Sequence, residues 1–168
     1  MDNISEFYTT GQKWIANFDG FIGKYALKGR AKPDHICYKC DSSYSFERSR
    51  KMFESEAKWI YQSIISGRRI AIIRLKKPFT TPLGHISVLE LSDQKPDGSQ
   101  KEGFDHIEFY PVGMTYEELV KYLEEEGATV TKIERPHHTT HNIIIKDGVT
   151  FCVTRGPLAD KIKGEEMY

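Results

Sequence analysis

The tripeptide Asp-His-Ile occurs twice, and each time it opens a run that reads as a β-strand: Pro33-Asp34-His35-Ile36-Cys37-Tyr38-Lys39-Cys40 and Phe104-Asp105-His106-Ile107-Glu108-Phe109-Tyr110-Pro111. Successive strand side chains point to opposite faces, so His35, Cys37 and Lys39 share one face, and His106, Glu108 and Tyr110 share the matching face of the second copy. Ile36, Tyr38, Ile107 and Phe109 then face the other way, toward a core. A repeat of this kind implies a duplicated module, and the two histidines are expected to meet in one cleft and bind one metal ion.

The rest of the chain is consistent with duplication. Residues 3–28 place Ile4, Phe7, Trp14, Ile15, Phe18, Phe21, Ile22 and Tyr25 at helical spacing. Gly11, Gly20 and Gly23 weaken that pattern enough for two helices, and the aromatic stripe is expected to cover one side of the following sheet. Asp41-Ser42-Ser43 supplies caps for a helix over 43–57. A hairpin turning at Ser66-Gly67 joins strands ending in Ile65 and Leu75. Residues 76–82, with two prolines, read as a loop, and 84–91 as the next strand. The polar segment 94–101 links the halves. Thr115-Tyr116-Glu117-Glu118 is a capping box for a helix stopped by Gly127. Strands over 128–134, 142–146 and 149–155 follow, the last two joined by an Asp147-Gly148 turn, and a short helix over 158–163 closes the chain. The expected fold class is α+β: two βαβββ modules, about 33–93 and 103–157, form a curved mixed sheet around a cleft. An N-terminal helical extension, 1–29, precedes a domain over 30–168.

Composition narrows the partners. A chain of 168 residues with 39% hydrophobic content can bury an ordinary core, and Lys+Arg 24 against Asp+Glu 24 leaves no net charge to gather phosphates. No nucleic acid and no membrane partner is expected, since no apolar run approaches the ~20 residues that span a bilayer. The first residues lack a basic start and an apolar centre, which predicts a soluble cytoplasmic protein. Three cysteines cannot all pair within one chain, which fits a reducing compartment. Cys37-Tyr38-Lys39-Cys40 has metal or redox spacing, but strand positions three apart face opposite ways and no second pair completes the site.

Glu90, in Val88-Leu89-Glu90-Leu91-Ser92, projects from a strand whose leucines face the core, and a carboxylate there is costly unless paired or bound to a cation. His35, Glu90 and His106 make a set of two imidazoles and one carboxylate that leaves positions open on a divalent ion. Either histidine alone is more often a hydrogen-bonded strand residue than a ligand; matching frames plus Glu90 favour ligation. Glu108 is the acid/base candidate, and Tyr110, Arg74 and Cys152 are the substrate-binding candidates. Ordinary surface salt bridges compete for Arg69, Arg74 and Arg155, and solvated sheet positions for Glu108 and Tyr110. A second imidazole cluster, His137-His138-Thr139-Thr140-His141, reads better as a loop with adventitious metal affinity.

The histidine-opened βαβββ repeat, with Val-Leu-Glu-Leu on the last strand of the first half, resembles the vicinal oxygen chelate superfamily of glyoxalases, extradiol dioxygenases and bleomycin-resistance proteins. Within it the chain looks most like the YecM family, over roughly residues 30–165. The resemblance implies ligands from the first and last strand of each half: His35, Glu90, His106 and a fourth position in Thr150-Phe151-Cys152-Val153-Thr154. Cys152 stands where a glyoxalase would carry its second glutamate, so the two-carboxylate proton shuttle is not evident. The set is closer to the dioxygenase one, with the carboxylate contributed by the other half.

The leading expectation is therefore a metal-dependent enzyme using Zn, Fe, Mn or Ni on a small oxygen-bearing substrate, in isomerase, lyase or dioxygenase-like chemistry. The alternative is a non-enzymatic binding module of the bleomycin-resistance type using the same cleft. A third reading, an interaction protein presenting the aromatic N-terminal helix, ranks below both. Self-association into a homodimer is left open.

Overall fold

The computed structural model describes residues 1–134, 139–145 and 149–165. Helix α1 spans Ile4–Lys24, begun by an Asn3 side chain that accepts from the Glu6 amide. The first half then runs β1 (Ala31–Lys39), α2 (Ser43–Phe53), β2 (Ala57–Ile65), β3 (Arg68–Thr81) and β4 (Gly84–Ser92). The second repeats it as β5 (Gly103–Pro111), α3 (Tyr116–Glu125), β6 (Val130–Glu134), β7 (Thr139–Ile144) and β8 (Thr150–Val153), and α4 (Leu158–Glu165) follows. The strands form one curved eight-stranded sheet in the order β2-β3-β4-β1-β5-β8-β7-β6. That order is symmetric about its centre: each half contributes a parallel pair, β1 with β4 and β5 with β8, and the halves meet at an antiparallel β1–β5 seam.

One face of the sheet is covered by helices. Ile36, Leu89, Ile107 and Phe151 point from the four central strands into a single core that also holds Phe7, Ile15, Phe18 and Ile22 of α1, Phe46 and Phe53 of α2, and Leu119 and Leu123 of α3. Burial of each such side chain is worth roughly 1.5–3 kcal/mol. The aromatic stripe of α1 is thus spent on the core, which leaves the interaction-protein reading without its surface.

Several local expectations are corrected. α1 is one helix, because Gly11 serves packing: a Cβ there would lie 2.7 Å from the Phe79 ring and 2.9 Å from that of Phe104. Helix α2 ends at Phe53, four residues short of the expected 57. The stretch 76–82 is not a loop, since β3 continues to Thr81; a register irregularity between Arg74 and Phe79 absorbs Pro78 before pairing with β4 resumes. The 94–101 segment is pinned rather than slack, with Gln100 Nε2 donating to the carbonyls of Cys40 (2.7 Å) and Asp93 (2.9 Å). The last strand stops at Val153. The Asp147-Gly148 turn lies outside the described residues. No helix among them is long and apolar enough to cross a membrane.

Candidate metal centre

Strand alternation sends His35, Glu90 and His106 to the face opposite the helical core. On that face, beside the seam, one ligand atom from each lies within 4.8 Å of the other two. The two imidazole rings are 5.9 Å apart, centroid to centroid, and His35 Nε2 is 3.7 Å from Glu90 Oε2. Parallel pairing of β1 with β4 sets Glu90 in register with Cys37, whose thiol donates to Glu90 Oε1 at 3.4 Å. Burial, then Glu90 itself, pushes the Cys37 thiol well up, so it stays a donor.

Each imidazole is held by the aspartate before it. His35 Nδ1 is 3.1 Å from Asp34 Oδ2, and His106 Nδ1 is 2.8 Å from Asp105 Oδ2. An ionised carboxylate only accepts, so each Nδ1 bonded to its aspartate carries hydrogen and Nε2 is the ring nitrogen left to act as a ligand. The His35 side chain is 2% exposed, and its Nε2 has no hydrogen-bond partner among the described residues. Burial disfavours the charged imidazole, yet Glu108, Asp34 and Glu90 outweigh it and push His35 up to about 9. Asp105 also holds Lys39 Nζ at 2.6 Å; against the cost of burial, His106 and Lys39 keep its carboxyl well below the usual range. Four carboxylates, Asp34, Glu90, Asp105 and Glu108, therefore surround two imidazoles and one lysine, a balance that favours a cation.

The family model described as YecM protein matches residues 7–148, most of the chain. The chain belongs to the YecM family. A 75-residue stretch is 31% identical to Protein YecM of Escherichia coli strain K12 and covers 45% of this chain and 40% of that protein. Among solved structures, a structural-genomics protein titled EC4020 superposes with a TM-score of 0.77 at 20% identity over 98% of this chain and 94% of its own. Methylmalonyl-CoA epimerase superposes at 0.54 and 14% identity over 74% of this chain and 94% of its own. At these identities the likeness concerns the fold, which is the glyoxalase-like vicinal oxygen chelate fold.

Within this YecM-family fold the remaining predicted residues fall at different distances from the three. Glu108 is in register with His35 across the seam and forms a second tight group with His35 and Asp34. Tyr110, half-buried, is pushed up by burial and then by Asp34 and Asp160, so it keeps its hydroxyl proton. Cys152 is in register with Glu108 just as Glu90 is with Cys37, so the halves carry one carboxylate and one thiol each in exchanged order. Arg74 is on β3, the second strand out from β1, level with Val88 and outside the cluster. It is half-buried with no ion-pair partner among the described residues, whereas Arg69 pairs with Asp93 and Arg155 with Glu117, both at 2.7 Å. Of the competing histidines, His141 is bonded to the Tyr116 hydroxyl of α3, and His137 and His138 lie outside the described residues. Asp34 and Asp105 stood in the repeated motif without a role being read for them; their repetition immediately before each histidine was the available signal.

Proposed function

We propose that this protein is a metal-dependent enzyme of the vicinal oxygen chelate type acting on a small oxygen-bearing substrate. The observation that carries the reading is His35 Nε2: a buried ring nitrogen with no hydrogen-bond partner among the described residues, aimed at the space it shares with Glu90 and His106. Leaving a buried polar atom unsatisfied is costly, and a cation removes that cost while balancing the surrounding carboxylates. The donors fit, since two imidazoles and one carboxylate suit Zn, Fe, Mn or Ni and leave positions for substrate. A divalent ion held by His35, Glu90 and His106 supplies Lewis acidity toward substrate oxygens.

The chain's own side chains divide the remaining tasks. Asp34 and Asp105 fix the ring orientation, and the Cys37 thiol orients Glu90. Glu108, next to His35 and half-buried, is the group to take or return a proton. The Tyr110 hydroxyl is a donor for a substrate oxygen, and Arg74, with no ion-pair partner among the described residues, offers its guanidinium to a substrate carboxylate. Cys152 lines the second half beside Glu108.

Elemental analysis of untagged protein, with titration of Zn, Mn, Fe and Ni into metal-free protein, tests this. A near-stoichiometric divalent ion, lost in both His35→Ala and His106→Ala, is expected. A folded protein that binds none of these ions sinks the reading and leaves the metal-free binding module in its place.

A further inference from the structure

The C-terminal helix α4 packs on the site face of the sheet. Ile162, with Leu158 and Ala159 beside it, closes a small apolar cluster with Ile70 and Ile72 of β3, Val88 of β4 and Tyr61 of β2. The first turn of α4 reaches the metal centre through one residue. The Leu158 amide, at the helix start, donates to both oxygens of Asp34, at 3.1 and 3.0 Å, and Asp34 is the carboxylate that holds His35 Nδ1. Asp34 itself is 7% exposed. The equivalent Asp105 has a lysine instead of a helix amide as its second partner. The two histidines are thus anchored differently: one by strand-to-strand charge pairing, the other by a helix that packs over the same face.

We propose that Asp34 is a positioning residue that couples docking of α4 to the orientation of His35, so that metal binding and helix docking strengthen each other. This rests on the metal-centre reading above. An amide at a helix start and an imidazole N–H compete for, and jointly fix, one buried carboxylate. When α4 lifts, Asp34 loses one of its two anchors and His35 loses its defined orientation toward Glu90 and His106. Linkage makes the effect reciprocal: whatever α4 contributes to metal affinity, the metal returns to α4 docking.

Two substitutions in the full-length chain isolate the hydrogen bond. Leu158→Ala trims the side chain and keeps the N–H; Leu158→Pro trims it and deletes the N–H at a first helical position that accepts proline. Zn²⁺ affinity is read by competition with a chromophoric chelator, and hydrogen exchange of the α4 amides is followed with and without Zn²⁺. We expect Leu158→Ala to bind Zn²⁺ within about twofold of the parent and Leu158→Pro about tenfold more weakly, with Zn²⁺ slowing exchange across α4 in the parent. If circular dichroism shows Leu158→Pro unfolded, Ile162→Asp takes its place, lifting the helix without touching a site residue, with the same weakening expected. Equal Zn²⁺ affinity in the proline and alanine variants, or α4 exchange indifferent to Zn²⁺, overturns the coupling while the metal centre stands. A parent chain that binds none of Zn²⁺, Mn²⁺, Fe²⁺ and Ni²⁺ removes the metal centre and this coupling together; where it binds another of these ions in place of Zn²⁺, the same comparisons are read with that ion.

Discussion

Glu108 stands in register with His35 across the β1–β5 seam, where its charge helps to raise the His35 pKa. Burial pulls that pKa down, but Glu108, Asp34 and Glu90 carry it from the ordinary 6.5 to about 9. A folded-state pKa above the unfolded one stabilises fully below pH 6.5, and the contribution fades as pH rises through 9. Metal-free protein is therefore expected to lose stability progressively between those values, on the order of a few kcal/mol for a shift of this size, and to melt lower accordingly. Glu108→Gln should flatten the decline. Scanning calorimetry across the window checks it, and identical slopes in parent and variant would rule out Glu108 as the cause.

The aspartates before each histidine give a second prediction. Asn in place of Asp34 or Asp105 can turn a donor toward Nδ1, which moves the ring proton to Nε2 and closes the nitrogen that a metal would use. Asp34→Asn and Asp105→Asn should each weaken Zn²⁺ binding by roughly 10–100-fold. Competition titration measures this. Affinity within about twofold of the parent in both variants means the imidazoles are oriented by something else.

Buried thiols provide a third. Cys37 and Cys40 are fully buried and Cys152 nearly so, and none of the three is in a disulfide. Burial pushes the Cys37 thiol well up and Cys40 to about 12, so little thiolate is present at neutral pH. Ellman's reagent is expected to find almost no fast-reacting thiol in the native protein and all three in denaturant. A single rapid native thiol, mapped by mass spectrometry, would identify which strand opens.

Much of this architecture was readable because strand alternation is a strong local rule. The Asp-His-Ile repeat placed His35 and His106 on one face, and the leucines around Glu90 placed it there too. What alternation cannot supply is lateral distance. Arg74 shares the face with Glu90 but lies on the far side of β4 from β1, and only the strand order reveals that. Pro78 between charged and aromatic residues imitates a loop, because a strand carrying a register irregularity tolerates the same residues. The docking of α4 depends on Ile162 meeting Ile70, Ile72 and Val88, contacts from distant parts of the chain that no local pattern encodes.

Glycines in α1 close the account of the N-terminal helix, since one substitution should act with opposite signs at two positions. Alanine gains up to about 1 kcal/mol over glycine inside a helix. Gly20 is exposed and a Cβ there meets nothing within 4 Å, so Gly20→Ala should raise stability by close to that amount. At Gly11 the added methyl would press on Phe79 and Phe104, whose rings are 5.6 and 5.4 Å from that of Phe7 and have little room to yield. Overpacking of this kind costs about 1–3 kcal/mol, enough to outweigh the helical gain. Gly11→Ala should therefore lower the melting temperature by a few degrees while Gly20→Ala raises it, at ~2–4 °C per kcal/mol for a chain of this size. Thermal melts of the two variants decide it: a rise in both would mean that α1 does not approach the sheet as closely as the Phe79 and Phe104 contacts require.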